Sequence, residues 1–204
     1  MLKHVFDDLV HKYTDTSSAA EAMWAALEAA YAEPVRRYHT LSHLEDVLRA
    51  LDPVQSLLKD RSAVLFALFY HDAVYDPASA TNEEDSAELA QERMHVLGVP
   101  GKTMAHCRRM ILATKGHAAT GDTDTDLFTD ADLAILGADP ERYADYAHAI
   151  REEYAVYPDA VYLPGRKKVL EHFLGMEQIY KTPYFYGRLE EAARVNLRRE
   201  LSGQ

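Results

Sequence analysis

The stretch AVLFALFYHDAVYDP, residues 63–77, decides how this chain is read. Seven apolar residues, Ala63 to Phe69, follow one another without a break and lead into Tyr70, His71 and Asp72. Such a run is core-helix length, well short of the roughly 20 apolar residues of a membrane span. A buried helix is therefore expected over 61–74, broken by Pro77. Its end raises a question, because a lone desolvated carboxylate is costly unless paired or bound to a metal. Either Asp72 is a cap and His71 a satisfied core imidazole, or both are ligands of an ion.

Working outward, the pattern stays helical and alternating strand patterns are nearly absent. Ser18-x-x-Glu21 has the form of a capping box, opening a helix with Met23/Trp24, Leu27 and Tyr31 at helical spacing. Ser42-x-x-Glu45 offers a second box and a helix to about Leu51. Thr81-x-x-Glu84 opens a third helix, with Ala87, Leu89/Ala90 and Met94, stopping at Gly98. Further helices are expected over 102–114 and 130–136, with a Gly/Thr/Asp loop over 116–126 between them. Asp139-Pro140 supplies an N-cap and a first-turn proline for a helix carrying Tyr143, Tyr146/Ala147, Ile150 and Tyr154. Helices over 164–180 and 187–201 complete an all-α, single-domain bundle spanning 1–204.

Bulk properties narrow the function. The 204 residues suffice for a sizeable core, and a 48% apolar content is ordinary for a globular chain. A net charge of −11 disfavours extended nucleic-acid binding. A small anionic ligand then needs local cations or a metal to offset that field. MLKHVFDDLVHKY lacks the apolar segment of a signal peptide. The lone Cys107 excludes an internal disulfide. A cytoplasmic protein without a membrane partner is expected.

Ten histidines draw attention by position. His39 and His43 lie four apart, which would put them on one face of a helix. His71-Asp72 ends the central helix, His117 follows the helix in MILATKGH, and Asp130 and Asp132 stand in FTDADLAILG. Each candidate sits at a helix end or beside a loop. Converging helix ends are how an α-bundle assembles a metal site. The weakest link is the last acid, because GDTDTDLFTDAD, residues 121–132, offers five aspartates.

The order His … His-Asp … Asp on consecutive helices resembles the HD superfamily of metal-dependent phosphohydrolases. YHTLSH, residues 38–43, is also similar to the YH-x-x-x-H segment of its cyclic nucleotide phosphodiesterases. RYHTLSHL, FYHDAVYD, TNEEDSAELA, ILATKGH, DADLAILG, REEYA, PGRKKVLEHFL, IYKTPYF and EEAARVNLRREL together resemble a bacterial branch labelled as predicted metal-dependent HD phosphohydrolases. The resemblance implies an HD-type fold and His43, His71, Asp72 and Asp132 as metal ligands. It implies His39 as proton donor and Glu83 as the base acting on a metal-bound water. Independently, two imidazoles and two carboxylates suit Mn, Fe, Co, Ni or Zn, whereas Mg alone prefers oxygen and water.

Other residues keep two readings each. Glu83 and Glu84 are candidate bases or simply acids favoured by a helix N-terminus. Lys115 and His117 could bind substrate phosphate, with His117 also a further ligand; otherwise they belong to a solvated loop. Arg166 and Lys168, in GRKK, could contact phosphate or pair with the protein's own acids. Asp76 is either an orienting carboxylate for His71 or a turn residue before Pro77. Asp130 could cap the helix that carries Asp132, and Arg194 and Asn196 have no assigned role. The expected activity is hydrolysis of a phosphoester or phosphoanhydride in a nucleotide or small phosphorylated metabolite. Its alternatives are a nucleotide-binding sensor with little turnover and a di-iron oxidase. The apolar residues of the last two helices offer a homodimer contact.

Overall fold

The computed structural model describes residues 1–203. Among them ten α-helices and two 3-10 turns account for all regular structure, and no strand is present. Backbone contacts cluster into two compact units, Met1–Thr129 and Asp130–Gln204. The boundary falls inside a continuous helix, α7, Thr123–Asp132.

The first unit is built around the apolar run. It forms α4, Arg61–Tyr70, with every residue from Ala63 to Tyr70 buried. Asp60 caps its start by accepting from the Ala63 amide at 3.0 Å, satisfying one of the four amides a helix start leaves without partners. α1, Leu2–Val10, and α2, Ser17–Tyr31, cover α4 with their apolar faces. Phe6 meets Phe69 edge to face at 5.0 Å and Trp24 at 5.8 Å. Truncating a buried phenylalanine of this kind to alanine costs about 3–5 kcal/mol. α3, Leu41–Leu51, follows with His43 in its first turn. α5, Asn82–Val96, ends at Gly98, whose φ of +70° only glycine adopts without strain. α6, Gly101–Ala113, packs on α4 and α5.

The second unit contains the 3-10 turn Leu133–Gly137, α8, Pro140–Glu153, α9, Asp159–Gly175, and α10, Pro183–Ser202. Asp139 caps α8 through the Arg142 amide, as its sequence announced. α10 crosses the 3-10 turn at Gly137. A Cβ there would lie 2.6 Å from Leu189 Cβ and 2.9 Å from its carbonyl oxygen, so the approach requires glycine. Asn196 donates to the Leu136 and Ala138 carbonyls, both at 2.9 Å. Arg194 reaches the Leu174 and Met176 carbonyls and pairs with Glu190 at 2.7 Å, closing the end of α9.

Several expected boundaries are corrected. The central helix stops at Tyr70 rather than 74, and α3 starts at Leu41, so Ser42 is not its cap. Ser18 lies inside α2, not at its cap. The loop expected over 116–126 is present but ends at Asp122, just before α7 begins, and the helix expected over 130–136 is replaced by the end of α7 and the following 3-10 turn. α7 is helical despite its Asp/Thr content because its acids have tertiary partners. Asp124 accepts from the amides of Lys59 and Asp60 at 2.8 and 2.7 Å, and Asp126 from Thr120 and Gly121. α9 begins at Asp159 and α10 at Pro183, so Pro164 sits inside a helix instead of opening one.

Candidate metal centre

The site is built on the end of α4. His71 occupies the position after the helix with helical backbone angles. Its Nδ1 lies 3.0 Å from the Leu68 carbonyl oxygen. A carbonyl only accepts, so Nδ1 carries a proton and Nε2 is the nitrogen turned toward the site. This is the orientation by a carbonyl that metal-bound histidines use. Tyr31 Oη donates to the Phe69 carbonyl at 3.1 Å. The carbonyls that a helix end leaves without partners thus hold the ligand and its neighbour in place.

His43 comes from the first turn of α3, and its Nε2 lies 3.1 Å from His71 Nε2. Asp72 Oδ2 lies 3.0 Å from His71 Nε2 and 3.7 Å from His43 Nε2. Asp132, the last residue of α7, offers a carboxylate oxygen. Together with one nitrogen each from His43 and His71, these ligand atoms all lie within 4.8 Å of one another. α7 is one helix, and Phe128 within it meets the His71 ring at 5.6 Å. The two histidines are buried and Asp132 half-buried. His43, His71 and Asp132 could therefore hold a metal ion, with Asp72 against both imidazoles.

The donor set fits such an ion. A proton between two imidazole nitrogens satisfies them one donor at a time, whereas a divalent cation accepts both lone pairs and the carboxylates together. With bonds of about 2.0–2.2 Å, neighbouring ligand atoms around such a cation stand about 3.0–3.5 Å apart. The separations of 3.0, 3.1 and 3.7 Å have that scale. Burial raises the Asp72 carboxyl, but the His71, His39 and His43 imidazoles outweigh it and hold the group well below the usual carboxylate range.

His39 is not helical. It lies in the bend before α3, half-buried, so the expected shared helical face with His43 does not exist. Its ring nevertheless stands 5.8 Å from the His43 ring and 4.5 Å from Tyr75. Arg36, which sequence reasoning passed over, is buried beside them. It donates to the carbonyls of His39 at 3.2 Å, Asp72 at 2.7 Å and Ala73 at 3.2 Å. Only its place just before RYHTLSH could have marked it, because a buried arginine and a surface one look alike in sequence.

Glu83 and Glu84 lie in the first turn of α5. Lys115 pairs with Glu84 at 2.7 Å, stands 3.5 Å from Glu83, and donates to the Ala80 carbonyl. Its ammonium holds the Glu84 carboxyl below the ordinary range. His117 is buried after α6 with a φ of 52°, the only left-handed non-glycine among the described residues. Its amide donates to the Ala113 carbonyl, closing the helix end. Arg166 forks onto Glu200 through Nε and Nη2 at 2.7 and 2.9 Å, which accounts for it by an internal pair. Lys168 is exposed on α9. Asp76 is a turn residue, accepting from the Ala78 amide at 2.8 Å. Asp130 is not a cap. It is fully buried, accepts from the Lys181 and Thr182 amides, and pairs with the Lys181 ammonium at 2.9 Å.

No known family model, curated protein or solved structure matches this chain. No helix among the described residues is long and apolar enough to cross a membrane.

Proposed function

We propose that this chain is a metal-dependent phosphohydrolase of the HD type, acting on a nucleotide or another small phosphorylated metabolite. The observation that carries the reading is the convergence of His43 Nε2, His71 Nε2 and Asp72 Oδ2 at ligand-to-ligand separations, with Asp132 completing the set. The mix of two imidazoles and two carboxylates favours Mn, Fe, Co, Ni or Zn over Mg alone. A bound ion supplies an acidified water and neutralises phosphoryl charge. Asp72 stays ionised beside the imidazoles, so it remains a ligand at neutral pH. His39, half-buried beside Tyr75 and His43, is the proton donor to the leaving oxygen in this reading. Glu83, in the first turn of α5, is the base for the attacking water.

The test is release of phosphate and pyrophosphate from a panel of nucleotides with manganese, comparing the wild type with Asp72→Ala. Turnover in the wild type that disappears in the variant supports the hydrolase and reports which bond is cleaved. Metal-replete protein that turns over nothing in the panel sinks it. Tight nucleotide binding would then point to a sensor, and two irons per chain with oxygen consumption to an oxidase.

A further inference from the structure

We propose that Arg36 is the positioning residue of the metal centre, fixing the bend that carries His39 against the turn that carries His71 and Asp72. The inference rests on the metal-centre reading and not on hydrolysis.

The Arg36 side chain has no exposed surface. Its Nη1 donates to the His39 carbonyl at 3.2 Å and the Asp72 carbonyl at 2.7 Å, and its Nη2 to the Ala73 carbonyl at 3.2 Å. Its Nε donates to Glu33 Oε2 at 3.1 Å, an acid whose side chain is 48% exposed. The guanidinium carbon lies 5.0 Å from the Tyr31 ring centre and 5.2 Å from that of Tyr75. Tyr31 is the residue whose hydroxyl holds the Phe69 carbonyl, and Tyr75 is the ring packed on His39. One planar cation thus touches the backbone on both sides of the site and both flanking rings.

Neither loop could hold this arrangement alone. His39 lies in a bend and Asp72 in a turn just past α4, outside regular helix. Their carbonyls have no helical partners, and buried carbonyls need donors. A guanidinium presents five N–H groups in a fixed fork, so it can serve two chain segments in one plane. A lysine ammonium on a flexible stem cannot hold that geometry. A buried charge is costly when its partners are mostly neutral carbonyls and ring faces. That cost is offset by ordering the two segments that deliver a proton donor and a ligand.

Arg36→Lys keeps the charge and removes the fork, and Arg36→Gln is a second, neutral variant. Glu33→Gln is the control, since that contact leaves the carbonyl bonds untouched. Each protein is titrated with Co(II), reading affinity and the visible ligand-field spectrum, and each metal-free form is melted. Loss of a group that orients a ligand typically weakens metal binding about 10–100-fold. That loss is expected for the Arg36 variants, with a changed spectrum and a metal-free Tm near the wild type, while Glu33→Gln matches the wild type. Wild-type affinity and spectrum in a folded Arg36→Lys would overturn the proposal. So would failure of both Arg36 variants to fold without metal, which would make Arg36 a determinant of the fold. A wild type that binds no Co(II) would remove the metal-centre reading itself, and this inference with it. Metal binding that depends on Arg36, in a protein without phosphatase activity, would leave the inference standing and sink the hydrolase.

Discussion

His43 and His71 face one another through their Nε2 atoms at 3.1 Å, one from the first turn of α3 and the other from the end of α4. The Leu68 carbonyl holds the far nitrogen of His71, so its Nε2 is the nitrogen aimed at the site. A second imidazole and the Asp72 carboxylate come to the same point.

The first consequence concerns added metal. Manganese binding to the folded chain alone should raise its stability by about 2.7 kcal/mol at a hundredfold excess over Kd. EDTA should reverse the rise in Tm, and His71→Ala should abolish it. A Tm indifferent to manganese and EDTA would contradict the site.

The aspartates of 121–132 should separate by role. Asp132→Ala should lose the metal with little change in metal-free Tm. Asp124→Ala should keep the metal but leave the Lys59 and Asp60 amides without their acceptor. Hydrogen bonds to a charged group contribute about 1.5–3 kcal/mol each, so its Tm should fall. Metal analysis and thermal melts of the two variants decide it; the reverse pattern would move the ligand to Asp124.

Asp130 and Lys181 form a buried pair, with side chains 0% and 4% exposed. Removing one partner of such a pair costs about 3–5 kcal/mol, because the other charge stays buried alone. Asp130→Ala should therefore be the least stable of the aspartate variants in chemical denaturation.

Acid should weaken the second unit through Glu200. Burial raises the Glu200 carboxyl, but the Arg166 guanidinium and the Tyr143 hydroxyl outweigh it and hold the group below its ordinary value. Its contribution is then fully present above the unfolded glutamate value of about 4.3. It is lost as pH falls through the lower folded value. The Tm difference between wild type and Glu200→Gln should be largest near neutral pH and shrink below about pH 4. A difference constant down to pH 3 would show that the charge of Glu200 contributes nothing.

Much of this was legible in the sequence. The unbroken run 63–69, set in a chain with almost no alternating strand pattern, read as a buried helix, and α4 is buried along its whole apolar length. Asp139-Pro140 and Gly98 marked a helix start and a helix stop because capping and positive φ are local chemistry. The residues alone showed candidates gathered at helix ends; His43, His71 and Asp132 were singled out as a set only by the resemblance of the His … His-Asp … Asp order to the HD pattern, and the structure brings these three within ligand distance.

What the sequence left open was settled by partners distant along the chain. GDTDTDLF reads as a loop by composition, yet Thr123–Asp132 is helical because Asp124 and Asp126 find amides to accept from. Five aspartates look alike in one dimension. His106 takes Asp122, Lys59 and Asp60 take Asp124, Thr120 takes Asp126, and Lys181 takes Asp130, while Asp132 joins the imidazoles. Arg166 and Lys115, candidates by charge, are turned to Glu200 and Glu84, while Arg36 is drawn inside by three carbonyls. Local pattern fixes helices and caps because their hydrogen bonds close within a few residues. The assignment of each charge to its partner depends on contacts across tens of residues, and only the tertiary structure makes those.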